Sequence, residues 1–249
     1  MREDHFSSAA DRYARFRPVY PAALFDFLAG LCARRELAWD AATGNGQAAV
    51  ELADRFQRVV ATDASERQIA HATRHPAVEY RVEPSESTSI ESSSVDLTTV
   101  AQALHWFDFE RFWDEVRRVS RPDAIFAAWC YGFLRIAPAI DRILRELYSV
   151  TLGDKYWPAE RRHIEAAYAT IPFPFARIEA PVFSIRARLD LERLMGYLGT
   201  WSAVKRYREA NAGSDPLVQV RKELEAVWGE PGMEREVVHD LTLLLGRVR

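Results

Sequence analysis

Two acids and a run of small residues carry the most specific chemistry in this 249-residue chain. Asp40-Ala-Ala-Thr-Gly44-Asn45-Gly46 is followed, nineteen residues after Gly44, by Asp63 in Val59-Val60-Ala61-Thr62-Asp63-Ala64. Both acids stand where a strand is expected to end. Glycines between a strand and a helix have no Cβ, so a ligand can come close to the main chain. An acid at the end of the following strand is placed to hold a ribose. The pair predicts an adenosine-containing cofactor.

Other candidates obey the same rule of position, since ligands in open α/β sheets bind at the carboxyl ends of strands. Ser85 and Glu86 follow a third expected strand, and Gln102 through Trp106 end a fourth. His105 is the one histidine expected beside the site. An imidazole titrates near neutral pH and is a candidate general base; shaping the acceptor pocket is the other reading. Trp106 reads as pocket wall or core. Gly44-Asn-Gly46-Gln-Ala-Ala49 also satisfies the form used by nicotinamide and flavin enzymes. Asp40, directly before the turn, tilts against a dinucleotide. A carboxylate repels a pyrophosphate and suits a cofactor bearing an ammonium or a sulfonium. The chain also offers only one complete βαβαβ set. An NAD(P)-dependent oxidoreductase and a non-catalytic cofactor-binding protein stand as the alternatives. His71 and His75 have i, i+4 spacing but no evident third ligand, so no metal is expected.

The elements that must position these residues follow from periodicity and punctuation. Helices are predicted over Pro21–Arg34, over Gln47–Phe56, from Ser65 to about His75, and through Phe109, Phe112, Trp113, Val116 and Val119. Ser65-Glu-Arg-Gln68 has the form of a capping box. Strands are predicted over Leu37–Ala41, Arg58–Thr62, Val78–Val82, Val95–Ala103 and Ala124–Tyr131, with a flexible Ser-rich loop at 83–94 and a turn at Arg121-Pro122-Asp123. Strands alternating with helices imply a parallel sheet covered on both faces. Beyond Gly132, Ala139–Val150 reads as a helix, Val182–Leu189 as a strand, 190–228 as helices broken at Asn211–Pro216, and Val237–Leu245 as a last strand. No linker splits the chain. One domain is expected, with a cofactor-binding core at 1–135, sheet completion and a helical lid at 136–235, and the last strand in 236–249. Trp157, Tyr197, Trp201 and Tyr207 have the spacing of core aromatics. In a lid they would wall off an acceptor, and Arg161, Arg162 or Arg206 would favour an acidic one.

Taken together, Asp40-Ala-Ala-Thr-Gly-Asn-Gly46, Asp63 and Gln102-Ala-Leu-His-Trp106 resemble the class I S-adenosylmethionine-dependent methyltransferases, over about residues 5–132. Tyr13-Ala-Arg-Phe-Arg17-Pro-Val-Tyr20-Pro, with His105-Trp106-Phe107, resembles the small-molecule branch that includes trans-aconitate methyltransferase-like enzymes. The resemblance implies an α/β, Rossmann-like doubly wound, mostly parallel seven-stranded sheet with an antiparallel last strand. It implies S-adenosylmethionine as cofactor and a small-molecule acceptor, with a carboxylate among those admitted. It further implies that Gly44, Asn45 and Gly46 let the main chain approach the methionyl part, with Asp40 near it. Asp63 would accept the two ribose hydroxyls and Ala64 would line the adenine slot. Ser85 and Glu86 would approach the adenine edge. The Gln102 carbonyl would meet the cofactor ammonium, and Tyr13 and Arg17 would close over the methionyl end. The chain departs from the family's acid-x-Gly-x-Gly-x-Gly pattern at Ala42, which stands in place of the first glycine; a methyl group is expected to fit there if φ is negative, whereas a positive φ would count against cofactor binding. Arg121-Pro-Asp-Ala124 replaces the common Arg-Pro-Gly-Gly, a change that touches the turn and not the site.

Composition bounds the partners. The chain is 48% apolar with a net charge of −3, and no stretch is dense enough in Lys and Arg to read as a nucleic-acid footprint. A duplex or a membrane surface is not expected as the main partner. The two cysteines, Cys32 and Cys130, lie in apolar segments and read as small buried residues of a reducing compartment. The charged start Met1-Arg-Glu-Asp and the lack of a long apolar run predict a soluble cytoplasmic protein.

Overall fold

The computed structural model describes residues 19–230 and 232–248. Tyr13 and Arg17 lie outside the described residues. The chain divides into two compact units: a sheet unit of Val19–Gly132, Arg162–Ser184 and Asp240–Arg249, and a helical unit that includes Phe133–Arg161 and Ile185–His239.

In the sheet unit, β1 (Leu37–Ala41) lies between β2 (Arg58–Asp63) and β4 (Val95–Ala101). β3 (Val78–Val82) pairs beyond β2 and β5 (Ser120–Tyr131) beyond β4, and all four pairings are parallel. Strand order therefore reverses between β1 and β4, and the carboxyl ends at such a switch point are where ligands bind in open α/β sheets. The sequence shows why β4 is central. Every residue from Val95 to Val100 is buried, as a strand covered on both faces must be. β3, at the edge, has no fully buried residue.

β8 (Arg235–Arg247) runs antiparallel to β5, in register from Ile125↔Arg247 to Tyr131↔Leu241. β6 (Ala176–Arg177) and β7 (Phe183–Leu189) both pair with β8, so the sheet has eight strands where seven are expected. The unforeseen one is β6, two residues long and too short to leave a period in the sequence. The layer against this sheet is largely aromatic. Trp113, Phe126, Phe173 and Phe175 meet mostly edge to face, with centroids 5.1–5.9 Å apart, the arrangement that ring quadrupoles favour.

Several boundaries differ from expectation. α1 (Ala22–Leu31) and α2 (Gln47–Ala53) stop short of Arg34 and Phe56. α3 (Glu66–Ala70) ends five residues before His75, because Thr73 N–H leaves the helix ladder to donate to the Asn45 carbonyl at 3.0 Å. His71 and His75 therefore do not share a helix face. β4 ends at Ala101, and Gln102 turns off in a left-handed conformation, φ +58°. α4 (Phe109–Val119) matches its prediction and is capped by Asp108, whose carboxylate accepts from Arg111 N at 3.3 Å. Arg121–Asp123, expected as a turn, lies inside β5. A register shift between Val95 and Leu97 absorbs the kink, and Asp123 takes φ +65°, a position that suits a short polar side chain better than most.

The helical unit holds α5 (Pro138–Glu146), a π-helical turn at Leu147–Leu152, α6 (Gly153–Tyr156), α8 (Leu191–Gly199), α9 (Ser202–Ala210) and α10 (Leu217–Trp228). The short helix α7 (Arg161–Glu165) falls almost entirely in the sheet unit. Leu144, Leu194, Leu198, Leu224 and Trp228 form the fully buried centre of the helical unit. The expected break at 211–216 is present, and a second falls at Thr200, whose hydroxyl bonds back to the Tyr197 carbonyl at 2.6 Å. No helix among the described residues is long and apolar enough to cross a membrane.

Candidate cofactor site

The loop after β1 must reverse the chain within a few residues to start α2. It does so with Ala42, Gly44 and Gly46 all left-handed, at φ +52°, +59° and +85°. Thr43 N–H donates to the Thr62 carbonyl at 2.9 Å, and Gly46 N–H to the Thr43 carbonyl at 3.0 Å. The loop is thus stitched to β2 before any ligand is considered.

Ala42 takes the positive φ, the case expected to count against cofactor binding. The reversal needs a left-handed residue there, and alanine adopts it at a cost of roughly 1–2 kcal/mol. Glycine removes that cost but loses more entropy on folding, about 0.4–1 kcal/mol. Ala42→Gly is therefore expected to raise unfolding free energy by about 0.5–1 kcal/mol, measured by urea denaturation.

Asp40 is fully buried beneath the loop. Its carboxylate accepts from Thr43 Oγ1 at 2.5 Å and from Thr99 Oγ1 at 2.8 Å. Thr99 is its register partner on β4. Burial pushes the Asp40 pKa up to about 6; the two threonine bonds work against that rise, and the charge of Asp63 adds to it. Asp40 therefore ties the loop to β4 from beneath.

The pH consequence has a definite sign. Between its unfolded value near 3.8 and its folded value near 6, Asp40 binds more protons in the folded state. Its ionisation destabilises the fold as pH rises through that window, by about 3 kcal/mol once complete. Asp40→Asn removes the titration. The stability of the variant relative to wild type should improve between about pH 4 and about pH 7. A difference that does not vary with pH would show that Asp40 titrates normally.

Asp63, at the end of β2, is the hinge of the site. Its Oδ2 accepts from Gly44 N–H at 2.9 Å and its Oδ1 from Ser65 N–H at 2.8 Å. A carboxylate has about four acceptor positions, so each oxygen keeps capacity for another donor. Ser65, not Asp63, caps α3, accepting from Gln68 N–H at 3.3 Å. The two glycines do different work. A Cβ on Gly46 would lie 2.2 Å from Tyr80 Oη, whereas one on Gly44 would meet no atom within 4 Å. Gly46 makes room for the protein's own Tyr80, whose hydroxyl donates to the Thr73 carbonyl at 2.6 Å. Gly44 faces open space beside a carboxylate with acceptor capacity. That open cradle fits an adenosyl cofactor.

The remaining candidates fall around this centre. Glu83 N–H donates to the Asp63 carbonyl at 3.1 Å, which carries buried Ser85 past the end of β2, while Ala64 is exposed. Glu86 is committed to the fold, accepting from Asp108 N–H at 3.2 Å. The Ser-rich loop is not the flexible turn expected. Glu115 Oε1 accepts from Thr88 N–H at 2.7 Å and from Thr88 Oγ1 at 2.6 Å, and Glu83 accepts from Ser89.

Gln102 N–H donates to the Trp129 carbonyl at 2.9 Å. His105 sits in a single 3₁₀ turn, Leu104–Trp106. The residue is 7% exposed, and its ring centroid lies 4.9 Å from that of Trp106 and 6.4 Å from that of Tyr168. Trp106, expected as wall or core, is 55% exposed. The short turn directs the imidazole inward and the indole outward.

Sequence reasoning missed Thr43, Thr99, Thr73 and Tyr80. Thr43 lies in the loop itself; the other three reach it only through strand register or chain reversal, so no local pattern marks them.

Comparison with known proteins agrees with this geometry. The family model described as a methyltransferase domain matches residues 39–128. A Dictyostelium discoideum protein named as a methyltransferase is 34% identical over 225 residues, covering 89% of this chain and 85% of that one. A solved Anaeromyxobacter dehalogenans structure described as a type II methyltransferase is 45% identical, with a TM-score of 0.88 over 94% of this chain and 98% of that one. The YcgJ protein of a Bacillus, at 17% identity and a TM-score of 0.51 over 91% of this chain and 98% of that one, shares the fold alone.

A doubly wound sheet with an acid–glycine loop at its switch point is the Rossmann-like methyltransferase architecture. The chain belongs to the class I S-adenosylmethionine-dependent methyltransferases. Its cofactor is S-adenosylmethionine, and the nicotinamide reading of the glycine motif falls away.

Proposed function

We propose that this methyltransferase acts on a small-molecule acceptor, with carboxylates among those it admits. The observation that carries the reading of the site is the Gly44–Asp63 hydrogen bond, which joins the open glycine and the strand-end acid into one cradle. In this reading Asp63 accepts the ribose hydroxyls. Gly44, Asn45 and Gly46 bring the main chain to the methionyl part, over the loop that Asp40 holds. Ala64, Ser85 and Glu86 border the adenine, and the Gln102 carbonyl takes the ammonium. Bound cofactor supplies a methyl group on a sulfonium, activated for displacement.

The protein's task is then alignment and exclusion of water. A carboxylate acceptor is already anionic and needs no base, so His105, buried among rings, serves as a wall of the acceptor pocket. The net charge of −3 supports a small acceptor over a nucleic acid.

Thermal melting with ligands tests the cofactor site. S-adenosylhomocysteine should raise the melting temperature and NAD should not. Transfer of labelled methyl to a panel of small carboxylates, amines, thiols and alcohols then tests the acceptor. Label found only on protein or nucleic acid would defeat the small-molecule reading.

A further inference from the structure

The sheet unit carries a second group of polar side chains, at the carboxyl ends of β4 and β5, whereas the cofactor cradle is built on β1 and β2. β4 and β5 pair as far as Ala101↔Trp129. His105, just past β4, and Cys130, the last residue but one of β5, therefore stand at neighbouring strand ends. Tyr168 reaches the same place from the segment that follows α7. Its ring centroid lies 6.4 Å from that of His105, tilted by 38°. Its polar neighbours are the Cys130 thiol and the Tyr20 hydroxyl. Tyr20, His105, Cys130 and Tyr168 are all buried. Cys130 and Tyr168 belong to the apolar core that includes Leu104, Phe112 and Ile171. Polar groups converging on strand carboxyl ends mark the usual place for a ligand in an open α/β sheet.

Two features of Tyr168 cost the fold stability. The first is its backbone. Ala167 and Tyr168 are left-handed in succession, at φ +50° and +58°, a conformation that a bulky L residue rarely adopts. The surrounding hydrogen bonds impose it. Ala167 N–H donates to the Ile164 carbonyl at 2.9 Å and Tyr168 N–H to the His163 carbonyl at 2.7 Å, and the Tyr168 carbonyl accepts from Ile171 N–H at 3.1 Å. Backbone strain held in this way clusters at functional sites. The second feature is the hydroxyl. Tyr168 is 1% exposed, and its enclosed Oη makes no hydrogen bond of normal geometry with a described residue; the adjacent thiol is a weak partner. An enclosed polar atom left without a partner destabilises the fold, and phenylalanine would fill the same space without that cost. Burial holds the Tyr168 pKa well above the ordinary tyrosine value, and the Cys130 and Tyr20 groups push it the same way. The phenol therefore keeps its proton at neutral pH and is available as a donor.

We infer that Tyr168 is a positioning residue for the methyl acceptor, its hydroxyl donating a hydrogen bond to an acceptor oxygen beside His105. The inference rests on the small-molecule reading above and adds to it an oxygen-bearing acceptor and the residue that aligns it. Bound acceptor supplies the partner that Oη lacks, and the left-handed pair is what turns a bulky ring back toward the strand ends. Holding one oxygen in place fixes the line along which the nucleophile meets the methyl group, which is where alignment accelerates a displacement.

Tyr168→Phe in the full chain deletes the one atom concerned. Its melting temperature should equal or exceed that of wild type, because an enclosed hydroxyl without a partner is lost. Its calorimetric affinity for S-adenosylhomocysteine should be unchanged. With the acceptor that the labelled-methyl panel identifies, kcat/KM should fall by about tenfold or more. A tyrosine that only serves the fold gives the opposite pair of results, a lower melting temperature with kcat/KM of the folded variant unmoved. Unchanged kcat/KM in Tyr168→Phe overturns the role and leaves the small-molecule reading standing. So does a variant that melts well below wild type or fails to fold, since the hydroxyl then has a structural partner. Wild-type transfer to simple amines or thiols alone overturns the oxygen assignment. Transfer to no small molecule overturns the reading on which the inference rests, and the role of Tyr168 with it.

Discussion

Asp63→Ala is expected to weaken S-adenosylhomocysteine binding by about a hundredfold or more. In the proposed site the carboxylate accepts two ribose hydroxyls, and a hydrogen bond to a charged group contributes about 1.5–3 kcal/mol. Two such bonds sum to at least about 3 kcal/mol, and each 1.4 kcal/mol is tenfold in affinity. The same substitution strips acceptors from Gly44 N–H and Ser65 N–H, so some stability goes with it. Asp63→Asn separates the two effects. The amide keeps an acceptor for one backbone N–H, yet its NH₂ cannot accept a hydroxyl proton. Calorimetric titration against S-adenosylhomocysteine, beside a denaturation curve, is the measurement. Asp63→Asn with wild-type affinity would remove Asp63 from the ribose.

Gly46→Ala is expected to cost about 2–5 kcal/mol of stability, from two separable sources. Its left-handed backbone, φ +85°, costs an L residue roughly 1–2 kcal/mol. The new Cβ would also stand 2.2 Å from Tyr80 Oη and 3.0 Å from the ring carbon behind it, and overpacking of this kind costs about 1–3 kcal/mol. Tyr80 is held by its bond to the Thr73 carbonyl and cannot swing aside freely. Adding Tyr80→Phe to Gly46→Ala deletes the nearest atom, so it should recover part of the overpacking cost and none of the backbone cost. Urea denaturation of the two single variants and the double variant measures this. A double variant no more stable than Gly46→Ala alone would place the strain elsewhere.

The parts of the fold legible from sequence were those with a local cause. β1 and β3 were read to the residue, and α4 began and ended where its apolar face did. The Ser65 cap was readable because capping uses neighbours three residues apart. Misreadings came where a distant partner intervened. α3 stops at Ala70 because Thr73 is drawn to Asn45. The 83–94 loop is pinned by Glu115 of α4. β6 exists only because β8 runs beside it. Trp106 turns outward and His105 inward because a single 3₁₀ turn sets their directions, against what residue type alone suggests.

The site divides the same way. The order of acid, small-residue turn and second acid fixed the fold class and an adenosyl-type cofactor, because strand ends and Cβ-free backbone are local properties. Register gives the two acids different surroundings. Thr99 stands opposite Asp40 and draws it under the loop, so the first acid became a buried support. Asp63 crosses to Gly44 and stays half-buried. The division of labour between Gly44 and Gly46 rests on Tyr80 from the next strand but one. One-dimensional spacing reports what a residue can do; hydrogen bonds between distant segments decide which of those capacities is left free.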